Sequence, residues 1–303
     1  MNSMTLMLTM LACGGSEPGE PKDTETETGP YITEAPELIP PDTSDAILSA
    51  GIEESILAIL SFDFAPIEAG YTTAMAGQDA ACPVWATDGD TVYWFATCTS
   101  EDGTSFEGFG AAHDFSDLPT DTNGFTYAGT FLNSISTITT PSGDVFTGGG
   151  EAFDISGSNE EGYEFNNFGV SEGFLWTGED ADGTWMENTP ILDFVSNTQR
   201  AGAYQIIELS GSISGLDSVQ VVVSDGLYGL DTDLPEGCTR EPSGNVAVLD
   251  PDGNWFDLQF NGMDNEGALN TEIGCDGCGT AWFQGYPLFE VCPNFDDMYN
   301  WAD

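Results

Sequence analysis

The sequence predicts an all-β fold, an antiparallel meander closed into a barrel or a sandwich, with one N-terminal helix packed on it. Three observations carry this expectation. Asp88-Gly89, Asp102-Gly103, Asp182-Gly183 and Asp252-Gly253 are each flanked by aromatic or β-branched residues, a strong short-range hairpin signal. Apolar residues recur at period two in Tyr163 with Phe165, Phe174 with Trp176, and Phe256 with Leu258 and Phe260, so each set points to one face of a sheet. No strand–helix alternation of the kind that builds a parallel sheet is present. Turn signals spaced roughly 8 to 12 residues apart suit a barrel or sandwich of short strands. The Asp-Gly hairpins share a turn chemistry and do not form a fixed-period repeat.

The helix is expected at Asp42 to Ser61. Asp42, Thr43 or Ser44 can cap it, and Leu48, Ile52, Ile56 and then Ile59 or Leu60 recur at helical spacing. Gly51 weakens it by about 1 kcal/mol relative to Ala, and Pro66 bounds it. A stripe this short packs on the sheet. Val219 to Val223 reads as a more continuous apolar strand.

Ahead of the helix the chain changes character. Met4 to Ala12 is a short apolar run, too short for a bilayer span of about 20 residues and suited to a signal-peptide core. It ends in Met10-Leu11-Ala12-Cys13, which resembles a bacterial lipobox, although no Lys or Arg precedes it. The resemblance implies that residues 1–12 are removed and that Cys13 is lipidated. Residues 13–41 are rich in Gly, Pro, Glu and Thr, a composition that stays disordered and extended. The organisation expected is a signal peptide (1–12), an acidic tether (13–41) and a single β-rich domain (42–303). The membrane partner is reached through the N-terminal lipid.

Charge excludes whole classes of partner. The chain has 52 acidic residues against three basic ones, Lys22, Arg200 and Arg240, for a formal net charge of −49. Nucleic-acid binding needs Lys and Arg to neutralise phosphates, and anionic headgroups repel such a surface. Charge this far from zero strains the compact state by self-repulsion, so salt or divalent cations should relieve it.

Cys13 aside, six cysteines remain: Cys82, Cys98, Cys238, Cys275, Cys278 and Cys292. An even number in an exported protein suggests three disulfides. Cys82 and Cys98 flank two strands around an Asp-Gly turn and should pair across that hairpin. Cys275 and Cys278 should each pair outward, to Cys238 and Cys292 in either order. The competing reading is a four-thiolate zinc site, since Cys275-x2-Cys278 has ligand spacing, but only one such pair is present.

No catalytic residue is expected. Gly169-Val170-Ser171-Glu172-Gly173 matches the nucleophile motif of hydrolases, yet no helix pattern follows and the one histidine, His113, lies upstream. Asp180, Asp182, Asp250 and Asp252 sit in two short acidic turns that share elements with a calcium loop. Aligning Gly183 or Gly253 to the sixth position puts Gly178 or Val248 first and Thr189 or Gln259 twelfth, so neither is an EF-hand. These four carboxylates are the weak candidates for Ca2+, and no other cofactor is expected.

Taken with the lipobox and tether, the motifs Cys82-Pro83, Cys98-Thr99 with Asp102-Gly103-Thr104-x-Phe106-x-Gly108, and Cys275-Asp276-Gly277-Cys278-Gly279 make the chain resemble uncharacterised outer-surface lipoproteins of the myxobacterial and deltaproteobacterial type. The resemblance implies disulfides, an extracytoplasmic location and, with Gly14 following Cys13, sorting to the outer membrane. It implies no activity. The function expected is non-catalytic, a structural or binding role in the cell envelope. The alternatives are a carbohydrate-binding or glycoside-hydrolysing protein and a calcium-stabilised adhesion module.

Overall fold

Ser44 starts the first helix. Its side chain accepts from the Ile47 N–H at 3.4 Å, and α1 (Asp45–Leu60) follows with Asp45 in its first turn. The computed structural model describes residues 39–303 except 89–90, 118–119, 123, 172, 178–190, 202–203, 265–267, 272–274 and 301–303. Cys13, the signal peptide, the tether up to residue 38, Gly89 of the Asp88-Gly89 turn, Asp180, Asp182 and the Asp182-Gly183 turn therefore lie outside the described residues. Leu48, Ile52, Ile56 and Ile59 of α1 are all buried, as the helical spacing predicts. Gly51 is there for close approach. A Cβ at that position would come within 2.5 Å of a Val219 methyl.

Pro66 does more than bound α1. It occupies the first turn of a second helix, α2 (Ala65–Met75), where its missing N–H costs nothing and its fixed φ suits the helix. One N-terminal helix was expected, and two pack on the sheet. Residues 67, 70, 71 and 74 of α2 are buried, a spacing of 3, 1 and 3 that puts them on one face.

Among the described residues fourteen strands follow: β1 (Trp85–Asp88), β2 (Thr91–Thr99), β3 (Ser105–Asp114), β4 (Thr126–Thr139), β5 (Val145–Ser158), β6 (Tyr163–Val170), β7 (Phe174–Thr177), β8 (Ile191–Ala201), β9 (Tyr204–Ser214), β10 (Val221–Asp231), β11 (Ser243–Leu249), β12 (Trp255–Asn261), β13 (Gly279–Phe283) and β14 (Tyr286–Val291), with a short α3 (Asp296–Asn300) last. They pair antiparallel in chain order, except that β7 pairs β5. The expected all-β meander is present, in open, sandwich-like form. The barrel alternative is corrected: β1 and β14 end the pairing path, so the sheet does not close. α1, α2 and α3 share one apolar core with the strands. Both edges are short, and β14 carries Pro287, features that blunt edge-to-edge pairing.

Period two holds where it was read. Phe256, Leu258 and Phe260 are buried while Trp255, Asp257 and Gln259 face out. Phe174 and Trp176 are buried on the same inner face. Phe165 lies on the outer face, its ring within 6.1 Å of Phe125 and Tyr127 and over Gly157.

Among the described residues one turn type recurs at 100–104, 121–125, 140–144, 159–163 and 250–254. In each, the first N–H donates to the fifth carbonyl and the glycine N–H donates to the first carbonyl. The glycine sits fourth with φ between 80° and 97°, the left-handed position of a three-residue hairpin loop. The side-chain oxygens of Asp121, Asn159 and Asp250 accept from the fifth N–H, which is why acidic and amide residues open these turns. The turns are more widely spaced than expected, because β4 and β5 each run 14 residues. The glycines at 148–150 do not break β5. A Cβ at Gly150 would strike the Ser171 carbonyl at 2.6 Å, where residues 171–173 separate β6 from β7 along the same flank of β5.

The disulfides are Cys82–Cys98, Cys238–Cys275 and Cys278–Cys292. The hairpin pairing and the two outward pairings are both found, and with four thiols bridged the zinc reading falls.

Candidate ligand groove

α2 approaches the sheet closely at one place and stands off it at another. Gly70 faces β5 and β7, and a Cβ there would rest in ordinary contact 3.5 Å from Trp176 Cβ and 3.6 Å from the Phe146 ring. Tyr71 reaches deeper, and its hydroxyl accepts from the Trp94 Nε1–H at 3.0 Å. Gly110 makes room for both rings, since a Cβ there would come within 2.6 Å of the indole nitrogen. Burial pushes the Tyr71 phenol up to about 12, so it stays protonated.

Toward β1–β4 the helix lifts away and leaves an open groove of about 380 Å³. Phe64, Tyr71, Met75 and Ala76 form its helical wall, Ala112 and Leu132 its floor, and Trp85 its flank. Glu68, Thr72 and Thr130 supply the polar groups. The Thr130 hydroxyl donates to Glu68 Oε1 at 2.8 Å. Sheet register sets Asp114 on one side of Thr130 and Asp154 on the other, so all three share a face. Hydrogen bonds from the Ser116 hydroxyl and N–H hold Asp114 below its ordinary range. Desolvation first, and then the neighbouring Asp63, raise Asp154. A concave, largely apolar site with a few convergent polar groups is the usual form of a small-molecule pocket.

The residues singled out from the sequence serve other ends. Ser171 lies between β6 and β7, and its hydroxyl accepts from the Glu151 N–H at 3.0 Å. His113 is on β3, edge-on to Phe115 at 4.8 Å. Three strand spacings separate β3 from β6, about 14 Å at the usual interval, so Ser171 and His113 form no catalytic pair. Among the calcium candidates, Asp250 is fully buried. Its Oδ1 accepts from the Asp252 and Asn254 N–H groups and its Oδ2 from Asn254 Nδ2 and the Thr43 hydroxyl. Burial pushes its carboxyl up, but these bonds outweigh it and hold the group below its ordinary range. Asp250 organises a turn and clamps the start of α1. Asp252 is exposed beside it. Among the described residues no group of three or more His, Cys, Asp or Glu side chains is placed to hold a metal ion.

Asp250→Ala should lower stability by about 2 kcal/mol, because it strands buried donors. Asp252→Ala should stay within about 0.5 kcal/mol of wild type. Urea denaturation of the two variants checks this, and equal midpoints would refute the assignment.

Sequence reasoning missed α2 and its groove. The signal was present in Pro66 followed by Ile67, Gly70, Tyr71 and Ala74. It also missed Glu241, which is buried and accepts from the Asn261 N–H at 2.8 Å. Comparison with family models, curated proteins and solved structures found no match.

Proposed function

We propose that this chain is a non-catalytic, lipid-anchored, acidic protein of the bacterial outer membrane that binds a small ligand in the α2 groove. The groove is the observation that carries the binding role, for its volume, aromatic wall and polar rim match those of small-molecule sites. The envelope location rests on the lipobox-like Met10-Leu11-Ala12-Cys13 and the Pro/Glu/Thr tether. Three disulfides support it, because such bonds persist in oxidising compartments. A glycan-binding role is the second reading. Trp85 in the groove flank favours it, as an aromatic face near a carboxylate suits a sugar ring. The calcium-module reading loses its support at Asp250, whose oxygens are taken by donors of the protein itself.

Metabolic labelling with palmitate tests the anchor. Label should appear on the wild-type protein and vanish in Cys13→Ser, with the protein moving from the membrane to the soluble fraction. Unchanged labelling of the variant would refute the lipid site.

A further inference from the structure

We propose that the α2 groove selects an organic cation with an apolar body, its charged head held between the aromatic wall and the Glu68–Asp154 rim. This rests on the reading of the groove as a ligand site and adds the class of ligand. Three features of the groove point to a cation.

The first is the aromatic wall. Phe64, Tyr71 and Trp85 line one cavity with Met75, and a cation over such ring faces is attracted by their quadrupoles. The second is the sign of the rim. Glu68 lines the groove, Asp154 flanks Thr130 in register, and Asp63 stands close enough to raise Asp154. No groove-lining residue is cationic, in a chain with only three Lys and Arg. Arg240 is committed elsewhere, in an ion pair with Asp231 at 2.9 Å. An anionic ligand would meet uncompensated carboxylates, while a cation would neutralise them in a partly desolvated place.

The third feature is the balance of donors and acceptors. The Thr130 hydroxyl already spends its proton on Glu68, and the Tyr71 oxygen already accepts from Trp94. The Tyr71 and Thr72 hydroxyls remain as neutral groups, and the only charged groups toward the opening are carboxylate acceptors. A sugar needs no charge from its site, whereas an ammonium head is drawn to carboxylates and ring faces.

The test titrates the full-length protein in low-salt buffer with hexyltrimethylammonium, hexanoate, cellotetraose and calcium chloride, reading tryptophan fluorescence and calorimetric heat. Hexyltrimethylammonium should bind saturably. Trp85→Ala and Glu68→Gln should each weaken it by about tenfold or more. Ala112→Phe, which fills the floor without changing charge, should abolish binding while circular dichroism shows the fold intact. Cation binding indifferent to Trp85→Ala and Ala112→Phe is counterion condensation on an acidic surface, and overturns the proposal. Hexanoate or cellotetraose binding that these variants remove would overturn the cation assignment and leave the groove as a ligand site. If no probe binds in a manner that Ala112→Phe removes, both readings fail. Binding of calcium alone, lost in Glu68→Gln but kept in Trp85→Ala, would replace the organic cation with a metal.

Discussion

Reduction of the three disulfides should unfold the domain at neutral pH. The bridged segments span separations of 16, 37 and 14 residues. They do not overlap along the chain, so each bond constrains a separate stretch of the unfolded ensemble. In the chain-entropy model these loops contribute about 3, 4 and 3 kcal/mol. Together they match the whole net stability of an ordinary domain, about 5–15 kcal/mol. A net charge of −49 adds self-repulsion that the reduced chain must still overcome. Urea denaturation with and without reductant checks this. The oxidised protein should show a cooperative transition that reductant shifts to far lower urea or removes. The Cys238→Ala/Cys275→Ala pair should be the most destabilising of the three paired substitutions, because it opens the longest loop. A reduced protein with an unshifted midpoint would sink the argument.

Glu241 should make stability fall as pH rises through neutrality. Its side chain is 3% exposed. Oε1 accepts from the Asn261 N–H, and among the described residues Oε2 has no hydrogen-bond partner. The guanidinium of the preceding residue, Arg240, is engaged with Asp231 and lies over the Tyr299 ring. Desolvation first, and then Asp276, push the Glu241 carboxyl up to about 7, against the pull of N–H groups at Asn261, Gly277 and Asp276. The folded state thus holds this proton more tightly than the unfolded chain, whose glutamate titrates near 4.5. The stabilisation is complete below about pH 4.5, declines as pH rises, and is lost above about pH 7. A shift of that size corresponds to about 3 kcal/mol. Glu241→Gln mimics the protonated side chain and removes the dependence. Repulsion among the other carboxylates also changes with pH, but wild type and variant share it. The difference in unfolding free energy between them should therefore change by about 3 kcal/mol from pH 4.5 to pH 8, in favour of the variant at the alkaline end. Parallel stability–pH curves would show that Glu241 is not the titrating group.

How far the sequence reaches is clearest at single positions. Phe256, Leu258 and Phe260 were legible as one buried face because alternation is a property of the strand itself. The turns at Asp102-Gly103 and Asp252-Gly253 were legible for a similar reason, and those at 121–125, 140–144 and 159–163, which lack an Asp-Gly pair, were not. A glycine fourth and a polar oxygen first fix a hairpin within five residues, as at Asp250 and Gly253. The Cys82–Cys98 bond followed from the hairpin between its ends. By contrast Gly51 looked like a defect in α1, and only its contact with Val219 explains it. The glycines at 148–150 are part of a 14-residue strand, and Gly150 is explained only by its approach to the Ser171 carbonyl. Pro66 looked like a stop and opens α2.

The same division runs through the candidate site and the N-terminal helix. The chain by itself determined the all-β class, the hairpin chemistry, the even set of bridging cysteines and the acidic surface, since each depends on residues that are neighbours or on composition alone. Tertiary structure decided that the sheet stays open, which way Cys275 and Cys278 pair, where α2 leaves its groove, and which carboxylates out of 52 acquire a special environment. Thr43 meets Asp250 across 207 residues and Glu54 meets Ser218 across 164. Contacts of that range exist only once the whole meander has formed, because no local preference brings such partners together until packing has repaid the entropy of ordering the chain between them.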